Sequence, residues 1–150
     1  MPATAVIPAT RQYCTFLVDG ALFGVDVKEV QEVIRYQPMT RVPLAHPVIS
    51  GLINLRGQIV TAIDLRRRLG LPEREEGHYP VNVVVRRDDN PVSLLVDEID
   101  DVVEIEGETL EAPPQTVRTY GRALIAGVHQ LEDRLLLVLA TDQAVNAEAF

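Results

Sequence analysis

Apolar residues along this chain come in short runs separated by turn residues, and this pattern predicts a protein built of β-strands. Two runs, 13–18 and 21–25, flank Asp19-Gly20, which is a strong signal for a β-hairpin. A second hairpin is predicted within Gly51–Leu65 around Arg56-Gly57, because glycine adopts the positive φ of a tight turn at no steric cost. The other predicted strands are 31–36, 79–85, 92–96, 101–105, 124–131 and 135–140.

Short helical turns are expected between some of these strands. Asp26 has the character of an N-cap with Glu29 three residues later, and residues 66–70 form a short helix that ends at Gly70 and Pro72. Further helical turns are expected at 97–100 and after residue 140. The proline-bounded segment 38–47 is predicted to be extended, 73–78 to be a linker, and 106–118 to be a loop. Residues 1–12 and 146–150 are expected to be tails.

The chain also repeats itself. At an offset of 69 residues the first strands of the two halves align, and at an offset of 76 the hairpin around Arg56-Gly57 aligns with the one around Glu132-Asp133. About five short strands in each half are typical of a small barrel without exposed edges. The prediction is an all-β fold of two five-stranded barrels packed side by side within one domain, 13–145. The first barrel is expected at 13–72 and the second at 79–140, with an exchange of strands left open.

Composition and charge exclude several classes of function. The net charge of −8 argues against a general nucleic-acid binder, and the low aromatic content of 5% argues against a base-stacking platform. Residues 1–72 carry a balance of +3 and residues 73–150 a balance of −11, so the field of the molecule could orient a partner. The single cysteine, Cys14, permits no internal disulfide, and no run is long and apolar enough for a membrane span. We therefore expect a soluble cytoplasmic protein.

The residues that catalysis or cofactor binding would need are not arranged for either task. No phosphate-binding glycine loop, no nucleophile elbow and no metal-ligand spacing of histidines is present. The run Arg66-Arg67-Arg68 is interpreted as a solvated helix face rather than a phosphate site. We thus expect no catalytic residue, no metal and no cofactor, which favours a binding module. The polar pair Asn54 and Arg56, set in an apolar hairpin, is the first candidate for that binding.

Several segments together identify a family. Residues 23–34, Thr40-Arg41-Val42-Pro43, the stretch 51–60 with Asn54-Leu55-Arg56-Gly57 at its centre, and 63–66 closely resemble the CheW family of chemotaxis coupling proteins. The resemblance extends from about residue 13 to residue 145. It implies two SH3-like β-barrels and a non-enzymatic adaptor in a chemosensory array. The implied partners are the cytoplasmic tip of a chemoreceptor and the regulatory domain of a CheA-type histidine kinase.

The resemblance also assigns candidate contact residues. By position, Val30, Glu32, Asn54, Arg56 and Gly57 match the receptor-contacting surface of the family, and the residues expected at the kinase are Glu32, Val33, Arg35, Tyr36 and Arg41. Val27, Ile53 and Leu55 are also expected at the receptor, as apolar lining of a groove. A groove lined by Val27, Val30, Ile53 and Leu55 could accept an apolar ridge of the receptor, with Arg56 at its edge. Alternatively, Arg56 pairs with Glu32 inside the protein and only braces the turn. A peptide-binding barrel, a small-ligand sensor, or an adaptor of a twitching or surface-sensing pathway also remains open.

Overall fold

The computed structural model describes residues 10–87, 90–106, 110–114 and 124–146. In this part of the chain we find eleven β-strands, a 3₁₀ turn at Val27–Glu29 and two short α-helices. The strands are β1 (Thr10–Val18), β2 (Ala21–Asp26), β3 (Val30–Ile34), β4 (Ile49–Leu55), β5 (Gln58–Asp64), β6 (Val81–Val85), β7 (Val92–Val96), β8 (Glu98–Ile99), β9 (Val103–Glu106), β10 (Ile125–Gln130) and β11 (Leu135–Leu139). The helices are α1 (Leu65–Arg68) and α2 (Thr141–Val145).

The strands form two sheets. One has the order β3-β6-β7-β5-β4, and the other has the order β10-β11-β2-β1, with β8 and β9 both paired to β1. Neighbouring strands are antiparallel except for β5 with β7 and β11 with β2, which are parallel. The all-β prediction with short helical turns is therefore confirmed.

Each sheet takes strands from both halves of the chain. The first two strands of the first half, β1 and β2, belong to the sheet of β10 and β11, whereas the first two strands of the second half, β6 and β7, belong to the sheet of β3, β4 and β5. The sheets thus show the exchange of strands that the division into 13–72 and 79–140 left open. The pattern is reciprocal, because β7 lies beside β5 in the same way that β2 lies beside β11.

Two glycines show how closely the halves repeat each other. A β-carbon on Gly51 would lie 2.7 Å from the carbonyl oxygen of Thr40, and one on Gly127 would lie 3.1 Å from that of Glu111. Both contacts accompany an isolated bridge between the loop and the strand, and each glycine directly follows a register shift in its hairpin. Gly51 therefore lets segment 39–40 run directly against β4, which any larger residue would prevent.

The main hydrophobic core is shared by the two sheets. It contains Phe16 and Phe23 of one sheet, Ile63 and Leu94 of the other, and Ala144 of α2. A smaller cluster of Ile53, Leu55, Val60 and Val84 packs within the five-stranded sheet, and Ile34 and Met39 pack against this cluster. Since β3, which carries Ile34, is at the opposite end of the sheet from β4, this cluster shows that the sheet curves until its two end strands meet.

Three expectations about local structure need correction. Residues 98–99 form the short strand β8 rather than part of a helical turn, because the N–H groups of Asp97 and Asp100 donate to the carbonyls of Leu17 and Thr15 in β1. Residues 10–12 are part of β1 and pair with β9 instead of lying in a tail. Parts of the expected tails, 1–9 and 147–150, and parts of the expected loop, 107–109 and 115–118, lie outside the described residues.

Ile63 and Ile59 provide a matched test of this core. Ile63 is 2% exposed, whereas Ile59, on the same strand, is 55% exposed. We expect Ile63→Ala to lower the free energy of unfolding by about 2–5 kcal/mol, because it leaves a cavity where the sheets meet. Ile59→Ala should change it by less than about 0.5 kcal/mol. Urea denaturation measures both, and equal losses would contradict the assignment of the core.

Candidate functional site

The turn that joins β4 to β5 has a defined and unusual backbone. Arg56 has φ +52° and Gly57 has φ +88°, and these two residues separate the paired residues Leu55 and Gln58. Positive φ at both central residues defines a type I′ turn, whose twist matches that of the flanking strands. The side-chain oxygen Oδ1 of Asn54 accepts a hydrogen bond from the Gly57 N–H at 2.8 Å. Asn54 therefore fixes the turn, whatever else it contacts.

Arg56 forms an ion pair with Glu32. A terminal guanidinium nitrogen of Arg56 donates to Oε2 of Glu32, which joins the tip of the β4–β5 hairpin to β3 at the other end of the same sheet. The hydrogen bond from Arg56 is the main reason that the pKa of Glu32 lies below its usual value. The internal pairing left open as an alternative thus exists in the structure.

The pair nevertheless lies at the surface. The Arg56 side chain is 71% exposed and that of Glu32 is 22% exposed. Exposed ion pairs contribute little to stability, since water screens them and ordering the side chains costs entropy. A guanidinium carries five N–H donors, so Arg56 can pair with Glu32 and still present donors to a partner. The pairing holds the guanidinium in place on an exposed tip.

The apolar residues predicted to line a receptor groove do not lie together. Ile53 and Leu55 are buried in the small core cluster of their own sheet. Val30 packs partly against the main core, and Val27 lies in the 3₁₀ turn beside residues 10–12 of β1. The groove lined by all four residues is therefore not present. The physical reason is the alternation along β4, which directs Ile53 and Leu55 inward and Asn54 outward.

The residues predicted at the kinase surface lie on β3 and the segment that follows it. Val33 and Tyr36 are both exposed. The Tyr36 ring lies 4.9 Å from that of Tyr79, which is 70% exposed. Pairing of β3 with β6 brings the two rings together, and the backbone carbonyl of Arg35 accepts a hydrogen bond from the Asn82 side chain at 3.1 Å. Tyr79 was not a predicted site residue, because the pairing of β3 with β6 that brings it to Tyr36 joins segments that are distant in sequence.

A cluster of ion pairs was missed by the sequence analysis. Arg66 of α1 donates to both carboxylate oxygens of Asp97, and Arg74 donates to Asp97 and to both oxygens of Asp64. The side chains of these four residues are all less than one-fifth exposed. The interpretation of Arg66-Arg67-Arg68 as a solvated face is therefore wrong for Arg66, and the linker 73–78 is anchored through Arg74. These partners are distant in sequence, so no local motif reveals them.

Asp97 lies where the chain passes from one sheet to the other. It follows β7, its N–H donates to Leu17 of β1, and its carboxylate accepts the N–H of Asp19 at 2.7 Å. Burial alone would raise the pKa of Asp97, but the hydrogen bonds from Arg66 and Asp19, together with the charge of Arg74, hold it below its usual value. The ionised carboxylate is thus part of the folded structure.

The described residues contain no group of three His, Cys, Asp or Glu side chains placed to hold a metal ion. Cys14 is buried, and this burial raises the pKa of its thiol, which keeps it in the unreactive protonated form. In the same part of the chain, no helix has the length and apolar composition needed to cross a bilayer.

Comparison with known proteins places this chain in a family. Residues 12–149 match the model of the CheW-like domain. The chain is 32% identical over 146 residues to the chemotaxis protein CheW of Bacillus subtilis, with 97% of this chain and 94% of that protein covered. It is 28% identical over 131 residues to the chemotaxis protein CheW of Thermotoga maritima, with coverages of 87% and 85%.

A solved structure agrees with this assignment. The scaffolding protein TtCheW of Thermoanaerobacter tengcongensis superposes with a TM-score of 0.84 at 26% identity, covering 97% of this chain and 94% of that one. This chain belongs to the CheW-like family, and its two sheets correspond to the two SH3-like barrels implied by the resemblance.

Asn54 offers a test of how the turn is fixed. We expect Asn54→Ala to lower the free energy of unfolding by about 0.5–1.5 kcal/mol, because the Gly57 N–H loses its acceptor. Asn54→Asp keeps an acceptor oxygen at the same place and should recover most of the loss. Thermal unfolding of the two variants measures the effect. Equal loss in both would show that the hydrogen bond does not stabilise the turn.

The ionic cluster predicts a specific dependence on pH. Because the folded-state pKa of Asp97 is depressed, its contribution to stability is present above the unfolded-state pKa of about 4 and is lost as pH falls through the lower folded value. Asp97→Asn should therefore cost about 1–3 kcal/mol at pH 7, and this difference should shrink below pH 4.

Urea denaturation from pH 7 down to pH 3 measures this difference. Glu73→Gln is the matched control, since Glu73 pairs with Arg67 but is 68% exposed and should cost little at either pH. A constant cost of Asp97→Asn across the range would contradict a stabilising role of the ionised carboxylate.

Proposed function

We propose that this protein is a non-enzymatic adaptor that couples transmembrane chemoreceptors to a CheA-type histidine kinase in a chemosensory signalling array. The observation that carries the proposal is the exposed hairpin tip, on which Glu32 and the Asn54-fixed turn hold the Arg56 guanidinium toward solvent. It is supported by relatives named chemotaxis protein CheW and by the similarity to a scaffolding protein. Such an adaptor acts by binding its partners and catalyses no covalent reaction.

The receptor surface that we propose is centred on this tip. Asn54, Arg56 and Gly57 form the exposed polar part, Glu32 is partly buried beside Arg56, and Val27 and Val30 form a partly buried apolar margin. Ile53 and Leu55 support the hairpin from within the sheet and make no direct contact. The receptor tip would present the apolar ridge of a helical hairpin together with a carboxylate for Arg56.

The kinase surface that we propose includes Glu32, Val33, Arg35, Tyr36 and Arg41. Two features support it: Val33 and Tyr36 are apolar yet exposed, and the ring of Tyr36 is supported by Tyr79. Glu32 belongs to both surfaces, since β3 lies between the hairpin tip and the segment that carries Tyr36. A protein bound on both sides would be recruited from the cytoplasm to receptors in the membrane.

Variants of Arg56 and Glu32 distinguish a direct contact of Arg56 with the receptor from an internal ion pair that only supports the turn. We expect Arg56→Ala to weaken binding of a soluble receptor signalling fragment about ten- to a hundredfold, the range for a charged interface anchor. Its melting temperature should stay nearly unchanged, because the side chain is exposed. The double variant Glu32→Arg/Arg56→Glu rebuilds the internal pair with reversed charges, and it should bind as poorly as Arg56→Ala.

Calorimetric titration of the receptor fragment measures this binding, with melting temperatures recorded in parallel. Recovery of binding in the double variant would show that Arg56 only braces β3. Normal binding by Arg56→Ala would remove the hairpin tip from the receptor surface altogether.

A further inference from the structure

Leu44 is the most conspicuous exposed apolar side chain in the described residues. It lies in the proline-bounded segment 38–47 and is fully exposed to solvent. The turn has Pro43 and Leu44 at its central positions, and the Ala45 N–H donates to the carbonyl of Val42 at 3.4 Å. A leucine in full contact with water contributes nothing to the core of this protein.

The backbone at Leu44 is also unfavourable for leucine. Its φ is +64°, in the left-handed region, where glycine and asparagine are favoured and a leucine side chain is strained. A turn of this kind, with proline second and positive φ third, normally carries glycine or asparagine at the third position. The chain therefore carries a residue that is both exposed and strained, and strain of this sort concentrates at binding surfaces.

The surroundings of Leu44 are basic, although the protein as a whole is acidic. The segment 33–47, which carries Leu44, contains Arg35 and Arg41 but no aspartate or glutamate, in a chain of net charge −8. Within the described residues, Arg35 and Arg41 form no ion pair, unlike Arg66 and Arg74. A groove beside Leu44 is lined by Met39, Arg41, His46, Ser50 and Arg67, and the Arg67 guanidinium is paired with Glu73.

From these observations we propose that Leu44 is an anchor that inserts into an apolar pocket, rimmed by carboxylates, on a protein partner. The exposed leucine provides apolar area to bury, and Arg41 beside it provides the charge that an acidic rim complements. This loop lies at the start of β4, whereas Arg56 lies at its end, so Leu44 and Arg56 belong to different parts of the surface. Resting on the proposed function, the occupant is the regulatory domain of the kinase, because Arg41 belongs to the proposed kinase surface.

Replacement of Leu44 should separate stability from binding. Leu44→Gly and Leu44→Asn relieve the backbone strain, so both should raise the melting temperature by about 2–4 °C. The same variants lose the anchor and should bind the purified regulatory domain of the CheA-type kinase at least about tenfold more weakly. Binding to the receptor fragment should not change. Val102→Asn, at another exposed aliphatic residue, is the control and should alter neither property.

Two further experiments test the role of charge and an alternative occupant of the loop. Arg41→Glu should weaken kinase binding at low salt. The difference in affinity between this variant and the wild type should become smaller at high salt, because exposed charges are screened. Sedimentation with phosphatidylglycerol–phosphatidylcholine vesicles tests an anionic membrane as occupant. Loss of vesicle binding in Leu44→Asn with kinase binding intact would overturn the proposal.

The two proposals fail in different ways. If the wild-type protein binds the kinase domain and Leu44→Asn binds it equally well, the anchor is excluded and the adaptor function stands. If the wild-type protein binds neither the kinase domain nor the receptor fragment, the adaptor function fails, and with it this assignment of the occupant.

Discussion

The parallel pairings of β5 with β7 and of β11 with β2 hold the two halves of this chain together. In each case the last long strand of one half lies beside the second strand of the other half, so neither barrel can be completed by its own half. The shared core of Phe16, Phe23, Ile63 and Leu94 follows from this exchange, because both sheets direct their apolar faces to the same interior. The proposed binding surfaces are therefore carried on a single packed unit.

Arginines serve two different purposes in this fold. Arg66 and Arg74 are largely buried, and their guanidinium groups are held by Asp64 and Asp97 at the point where the chain passes between the sheets. Arg56, by contrast, is held at an exposed tip by one carboxylate. The buried arginines stabilise this crossing point, since removal of one partner leaves an uncompensated charge. The exposed one is positioned but remains accessible, which suits a contact with a partner.

Two residues of the proposed binding surfaces have a strained backbone. Arg56 and Leu44 both have positive φ. Only Arg56 lies in a hairpin turn, where positive φ matches the twist of the flanking strands. Asn54 compensates part of that cost by accepting the Gly57 N–H. Leu44 follows Pro43, and the strain at Leu44 is not matched by a stabilising contact of its side chain, which is fully exposed. For this reason we propose that the side chain contacts a partner.

The sequence by itself determined most of the strands, the hairpin at Arg56-Gly57, the internal repeat and the family, because alternation, turn chemistry and motif spacing are local properties of the chain. Only the tertiary structure decided that β1 and β2 join the sheet of β10 and β11 and that Ile53 and Leu55 face the core. It also decided that Asp97 forms ion pairs with two arginines. These outcomes depend on which strands pair and on partners many residues apart. Pairing between distant strands is chosen by the packing of the whole core, and no local pattern records it.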